Sequence, residues 1–104
     1  MIVALVDDLM DRSRVSAALP DVRFTRTADD CAGATVVLVD LARHGGDIRS
    51  VRIAAPGARI VAFGPHVDDE ALAAARAGGA DAVLARSRFF ADVAAAAHGG
   101  APGA

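Results

Sequence analysis

The chain has 104 residues, of which 54% are hydrophobic, and its formal net charge is −2. This length suits one domain, and the apolar fraction excludes a disordered chain. The basic residues form no stripe, which excludes nucleic-acid binding on electrostatic grounds, and no apolar run approaches the ~20 residues that cross a bilayer.

The two ends of the chain bear on its expected location and on the expected limits of its domain. The first residues lack the basic region of a signal peptide, and their apolar run has only the length of a strand. We therefore expect a cytoplasmic protein with a single domain over residues 1–98 and a disordered tail over 99–104. The one cysteine, Cys31, allows no internal disulfide and is expected to be semi-buried.

Apolar runs and helical segments alternate five times, starting with a strand at residues 2–6. This run is apolar throughout, as is typical of a strand buried on both faces. A helix follows over 9–19 and stops at Pro20. Its buried face is predicted to contain Leu9, Met10, Val15, Ala18 and Leu19.

The middle of the chain predicts two further strands and a helix. An exposed strand is expected at 22–25, and residues 28–33 have room for one or two helical turns. Residues 35–41 read as the second central strand. A helix over 47–55 would bury Ile48, Val51 and Ile53.

The last third repeats the pattern twice. A buried strand is predicted at 59–63, and a helix over 68–77 begins with acids and ends at Gly78-Gly79. A final strand is predicted at 81–85, with a helix that Ser87 caps and that runs to about His98.

Strands that alternate with short helices predict a parallel α/β sheet. Ligands of such sheets bind beyond the carboxyl ends of the strands. Three acids follow strands there, so we expect one acidic pocket that contains Asp7, Asp8 and Asp40. Crowded carboxylates repel one another unless a cation neutralises them. Either Mg²⁺ or Arg86 from the fifth strand could supply that positive charge.

These residues resemble the receiver domain of two-component response regulators, the CheY-like superfamily. The resemblance rests on VALVDD, on VVLVD and on AARAGGADAVLARS, in this order. It implies a flavodoxin-like, doubly wound sheet of five strands in the order 2-1-3-4-5, here with shortened helices. It also implies that Asp40 is the phospho-acceptor, that Arg86 takes the position of the receiver lysine, and that Mg²⁺ is held by Asp7, Asp8, Asp40 and the carbonyl of Ala42.

The sequence departs from the receiver pattern where phosphorylation is read out. Gly64 replaces the usual Thr or Ser, and Val83 replaces the switch aromatic residue. Arg86 stands for lysine and Ser87 for the proline after it. These departures favour an atypical, pseudo-receiver variant.

Three functions follow. The first is a receiver-like signal-transduction module that binds a protein partner, either a kinase or a downstream effector, and is not an enzyme. The second is a phospho-accepting receiver that uses Asp40 and Mg²⁺ in a phosphorelay. The third is a small-ligand or metal-binding flavodoxin-like domain, in which His44 and His66 could hold a transition metal, although loop histidines are usually solvated.

A homodimer is a further expectation. The alanine-rich fourth and fifth helices would let two copies approach closely through the helix 4–strand 5–helix 5 face. Ordinary solvent-facing surface accounts for the same alanines slightly better than a dimer does.

Overall fold

The protein is a single parallel sheet with helices on both faces. The computed structural model describes residues 1–65 and 68–99. Neighbouring strands pair in parallel in the order β2-β1-β3-β4-β5, which confirms the predicted topology. The strands are β1 Ile2–Leu5, β2 Arg23–Phe24, β3 Val36–Asp40, β4 Arg59–Gly64 and β5 Ala82–Ala85.

The helices are short, as predicted. They are α1 Leu9–Ala18, α2 Leu41–His44, α3 Ile48–Ala54, α4 Asp69–Gly78, α5 Arg86–Ala91 and α6 Val93–His98. Two 3-10 segments span Ala28–Cys31 and Gly45–Asp47. Within the described ranges, no helix has the length and apolar character needed to traverse a bilayer.

Alternation along the central strands divides the core into two layers. On one face, residues such as Val37 and Val39 pack with α3, α4 and the buried Cys31. On the other face, Leu38 and Phe63 pack with α1, α5 and α6. All five residues of β3 are buried, which explains its continuous apolar sequence and places its last residue, Asp40, at the sheet edge.

The predicted apolar faces of two helices are wrong in part. Leu9 and Met10 are 79% and 77% exposed, and Ile53 in α3 is 75% exposed. The residue one turn before the buried Val15 is Asp11, and it takes the buried position in the first turn of α1. Leu9 and Met10 therefore project toward solvent.

The helix predicted from Ser87 to His98 is two helices. Ser87 lies inside α5, which begins at Arg86 and has no side-chain cap. The cap belongs to Asp92, whose carboxylate accepts a hydrogen bond from the Ala95 amide at 3.0 Å and starts α6. Of the tail predicted for 99–104, only Gly99 lies within the described residues; it ends α6 with a positive φ.

Candidate functional site

A cavity of about 400 Å³ opens at the carboxyl ends of the central strands. Its lining includes Asp8, Asp40, Ala42 and Arg86, which are four of the five residues predicted for the site. The strand ends bring them together because β1 and β3 are neighbours and end at the same edge. The rest of the lining is Met10, Asp11, Arg14 and Arg43.

Asp8 and Asp40 each begin a helix beside this cavity. The Asp40 carboxylate accepts a hydrogen bond from the Ala42 amide at 3.0 Å, and Asp40 is only 5% exposed. The Asp8 carboxylate accepts from the Asp11 amide at 2.9 Å. Each acid thus satisfies an orphan amide of the first helical turn.

Asp7 is not among the residues that line this cavity, so the structure places two of the three predicted aspartates there. The Asp7 carboxylate instead lies 3.0 Å from Nε2 of His44. Arg26 approaches the same carboxylate oxygen at 3.9 Å from an exposed position. The hydrogen bond from His44 is the main reason that the pKa of Asp7 is lowered.

His44 is buried, so its interpretation as a solvated loop histidine is wrong. It ends α2 and is 7% exposed. Its Nδ1 lies 2.9 Å from a carboxylate oxygen of Asp47, while Nε2 faces Asp7. Burial by itself lowers the pKa of His44, but hydrogen bonds and charges of the two aspartates outweigh burial and raise it. His66 lies outside the described residues.

Arg86 binds Asp11, an acid that the sequence analysis did not select. The two guanidinium nitrogens donate to the two Asp11 oxygens at 2.8 and 2.7 Å. This bond is the largest cause of the lowered pKa of Asp11. In a sequence, an acid in the first turn of a helix is usually interpreted as a solvated side chain that stabilises the helix dipole. Only its burial, which the sequence does not show, distinguishes Asp11 from such acids.

Two aromatic rings also lie close to the Arg86 guanidinium. Its guanidinium carbon lies 4.9 Å from the ring centre of Phe90 and 5.9 Å from that of Phe63. The guanidinium of Arg14 lies 4.2 Å from the same Phe90 ring. Arg86 is therefore held by one carboxylate and two rings. The hydrogen bond to Asp11 is the largest cause of the raised pKa of Arg86, and the charges of Asp40 and Asp8 add to it.

Gly64 ends β4 one residue after Phe63, the strand partner of Asp40, and a side chain at this position would crowd Leu41. A Cβ atom built there would lie 3.3 Å from Cβ and 3.4 Å from Cδ1 of Leu41. Such contacts are tighter than ordinary van der Waals packing. The Leu41 side chain therefore covers the position from which a hydroxyl-bearing side chain would extend.

The donor atoms do not fit the predicted magnesium site. Asp8 and Asp40 flank the cavity, but Asp7 is bound to His44. Over residues 1–65 and 68–99, no three His, Cys, Asp or Glu side chains lie close enough to hold a metal ion. The three carboxylates are not gathered in one place, because the Asp7 carboxylate is hydrogen-bonded to His44.

Comparison by sequence finds no matching family model and no matching curated protein. Comparison by structure finds response regulators. One, from Burkholderia pseudomallei with a phosphorylated aspartic acid, a calcium ion and citrate, is 22% identical with a TM-score of 0.77. The match covers 92% of this chain and 65% of that one, so this chain spans less than two thirds of that protein.

Two more solved structures share the fold over most of their length. A response regulator from Thermotoga maritima is 14% identical with a TM-score of 0.73, and the match covers 89% of each chain. A candidate pilus assembly protein from Burkholderia thailandensis is 18% identical with a TM-score of 0.68, covering 94% of this chain and 97% of that one. The chain therefore has the fold of response-regulator receiver domains.

Proposed function

We propose that this protein is a receiver-like signalling module that acts by binding a protein partner and does not depend on phosphorylation of Asp40. The observation that carries the proposal is the packing of Leu41 over Gly64 beside Asp40. A conformational switch needs a contact that differs between its two states. With Gly64 at this position, a phosphoryl group on Asp40 meets no hydroxyl that could draw β4 toward it.

Two other positions support the same proposal. Two of the five N–H donors of Arg86 already bind the Asp11 carboxylate, so a new anion at Asp40 would have to share this guanidinium with an acid that is already paired. Val83 on β5 packs against the core and carries no ring that could move between a buried and an exposed position. The signal would therefore pass through surface contact with a partner, and that partner would produce the output.

The test is capture of partners by wild-type protein and by Asp40→Asn from an extract of the source organism, quantified by mass spectrometry. We expect the same partners at the same abundance, with or without acetyl phosphate. A partner that binds the wild type only after acetyl phosphate treatment, and never binds Asp40→Asn, would contradict the proposal.

A second candidate is a phospho-accepting receiver in a phosphorelay with a kinase. The observation that favours it is the cavity shared by Asp8, Asp40 and Ala42. In this reaction, an oxygen of Asp40 attacks the phosphorus of a phosphohistidine and the imidazole leaves. The neighbour with a phosphorylated aspartic acid and calcium has the same fold.

The remaining expectations stay predictions. The third function, a metal-binding flavodoxin-like domain, gains no support from the described residues, because no group of three metal-binding side chains lies among them. Absence of enzyme activity, a cytoplasmic location and a homodimer through α4, β5 and α5 each await a direct measurement. The fold also occurs in a candidate pilus assembly protein, so the fold alone does not decide between these functions.

A further inference from the structure

His44 makes two contacts that a neutral ring could not satisfy together. Both ring nitrogens lie within 3.0 Å of carboxylate oxygens, Nε2 beside Asp7 and Nδ1 beside Asp47. An ionised carboxylate only accepts hydrogen bonds, whereas a neutral imidazole donates through one nitrogen alone. Only the imidazolium donates to both, so His44 places a positive charge between two negative ones.

From this geometry we propose that His44 serves as a built-in cation at Asp7 and takes the place of a divalent metal ion there. The proposal concerns the sheet edge at which Asp40 lies. It rests on the proposed function, which treats that edge as the functional site. It adds that this edge is assembled without Mg²⁺. The acid at the end of β1 is neutralised by a side chain from α2, which follows directly after Asp40.

A metal ion at Asp7 would compete with His44 for this carboxylate. The Asp7 oxygen nearest His44 already accepts a hydrogen bond at 3.0 Å. A divalent ion bound to it would either lie beside the imidazolium or expel the ring from its partner. Both outcomes are unfavourable, because like charges repel and an imidazolium expelled from Asp7 keeps only one of its two carboxylate partners, the half-exposed Asp47.

The test is a titration with MgCl₂ followed by backbone NMR, at constant ionic strength, for the wild type and for His44→Gln. Glutamine keeps much of the volume and one donor but removes the charge. The readout is the set of amide shifts of Asp7, Asp8, Asp40 and Ala42. We expect no saturable shift for the wild type at millimolar Mg²⁺, and binding by His44→Gln that is at least about tenfold tighter.

The matched control is His98→Gln, which changes the histidine at the end of α6, far from the strand ends. It should respond to Mg²⁺ as the wild type does. Saturable binding of equal strength to the wild type and to His44→Gln would overturn the proposal. Absence of binding to both would also overturn it, because His44 would then not be what excludes the ion.

A second variant covers failure of His44→Gln to fold. Asp47→Asn removes one of the two carboxylates from a half-exposed position and leaves the contact between His44 and Asp7 in place. It should weaken the positive charge and give Mg²⁺ binding between the two extremes. These titrations measure metal binding alone, so they can fail while partner capture independent of Asp40 succeeds, and the reverse.

Discussion

Arg86 and Asp11 face each other with two parallel hydrogen bonds, 2.8 and 2.7 Å long, between the start of α5 and the first turn of α1. The pair ties helices that lie 75 positions apart in sequence. It also directs the hydrogen bonds of Arg86 to an acid other than Asp40, while the Asp40 carboxylate acts on Arg86 through its charge alone. The sequence resemblance implies that Arg86 takes the position of the receiver lysine at the Asp40 site. In this structure its hydrogen bonds go to Asp11 instead.

The pair should couple strongly in a double-mutant cycle. Arg86→Met leaves the buried Asp11 carboxylate without its partner, and we expect a loss of about 2 kcal/mol in the free energy of unfolding. That is less than for a fully buried pair, because the Arg86 side chain is 36% exposed. Urea unfolding of Arg86→Met, Asp11→Leu and the double variant measures the coupling. Losses that simply add would show that the two residues act independently.

The free energy of unfolding should decrease as pH rises, because His44 loses its proton. The folded-state pKa of His44 is raised above its ordinary value of 6.5. Its contribution is therefore fully present below the unfolded-state pKa and is lost as pH rises through the folded-state pKa. Thermal unfolding as a function of pH should show this decline in the wild type and in His98→Gln. The decline should vanish in His44→Gln, and its persistence there would assign it to another group.

Asp40 should contribute to stability as a helix cap, apart from any phosphorylation. Asp40→Ala removes the acceptor for the Ala42 amide, so we expect a loss of about 1 kcal/mol. Asp40→Asn keeps a capping oxygen and removes a charge that lies near Asp8, so its melting temperature should equal or exceed that of the wild type. Calorimetry of both variants tests this, and equal losses would argue against a capping role.

A side chain at Gly64 should be destabilising because Leu41 covers the position. Gly64→Thr is expected to cost about 1–3 kcal/mol, as for other overpacked sites. Leu41→Ala should reduce that cost when the two changes are combined. Gly46→Ala is the control, since a Cβ there would meet no atom within 4 Å. Gly64→Thr that is as stable as Gly46→Ala would refute the packing argument.

Much of the fold was predictable from the sequence. Continuous apolar runs identified β1, β3 and β4, because buried parallel strands have no polar face. The Leu9 and Ile53 predictions failed for a specific reason. Both helices are short and bury few residues, so the apolar pattern alone did not say which side faces the sheet.

The site was predictable only as far as strand ends determine it. Asp8 and Asp40 lie where the carboxyl ends of β1 and β3 meet. The partners of Asp7 and Arg86 were not predictable, because they depend on which side chains of α1 and α2 turn inward. His44 follows Asp7 by 37 positions, and no local pattern marks that contact.

The central claim is that Asp40 does not operate a phosphorylation switch. Its most direct test is backbone NMR of the wild type and Asp40→Asn with Mg²⁺ and beryllofluoride, which imitates an aspartyl phosphate. We predict that any shift changes stay within the cavity lining and do not reach Val83 on β5. Shift changes that depend on Asp40 and extend through Gly64 to Val83 would contradict the claim.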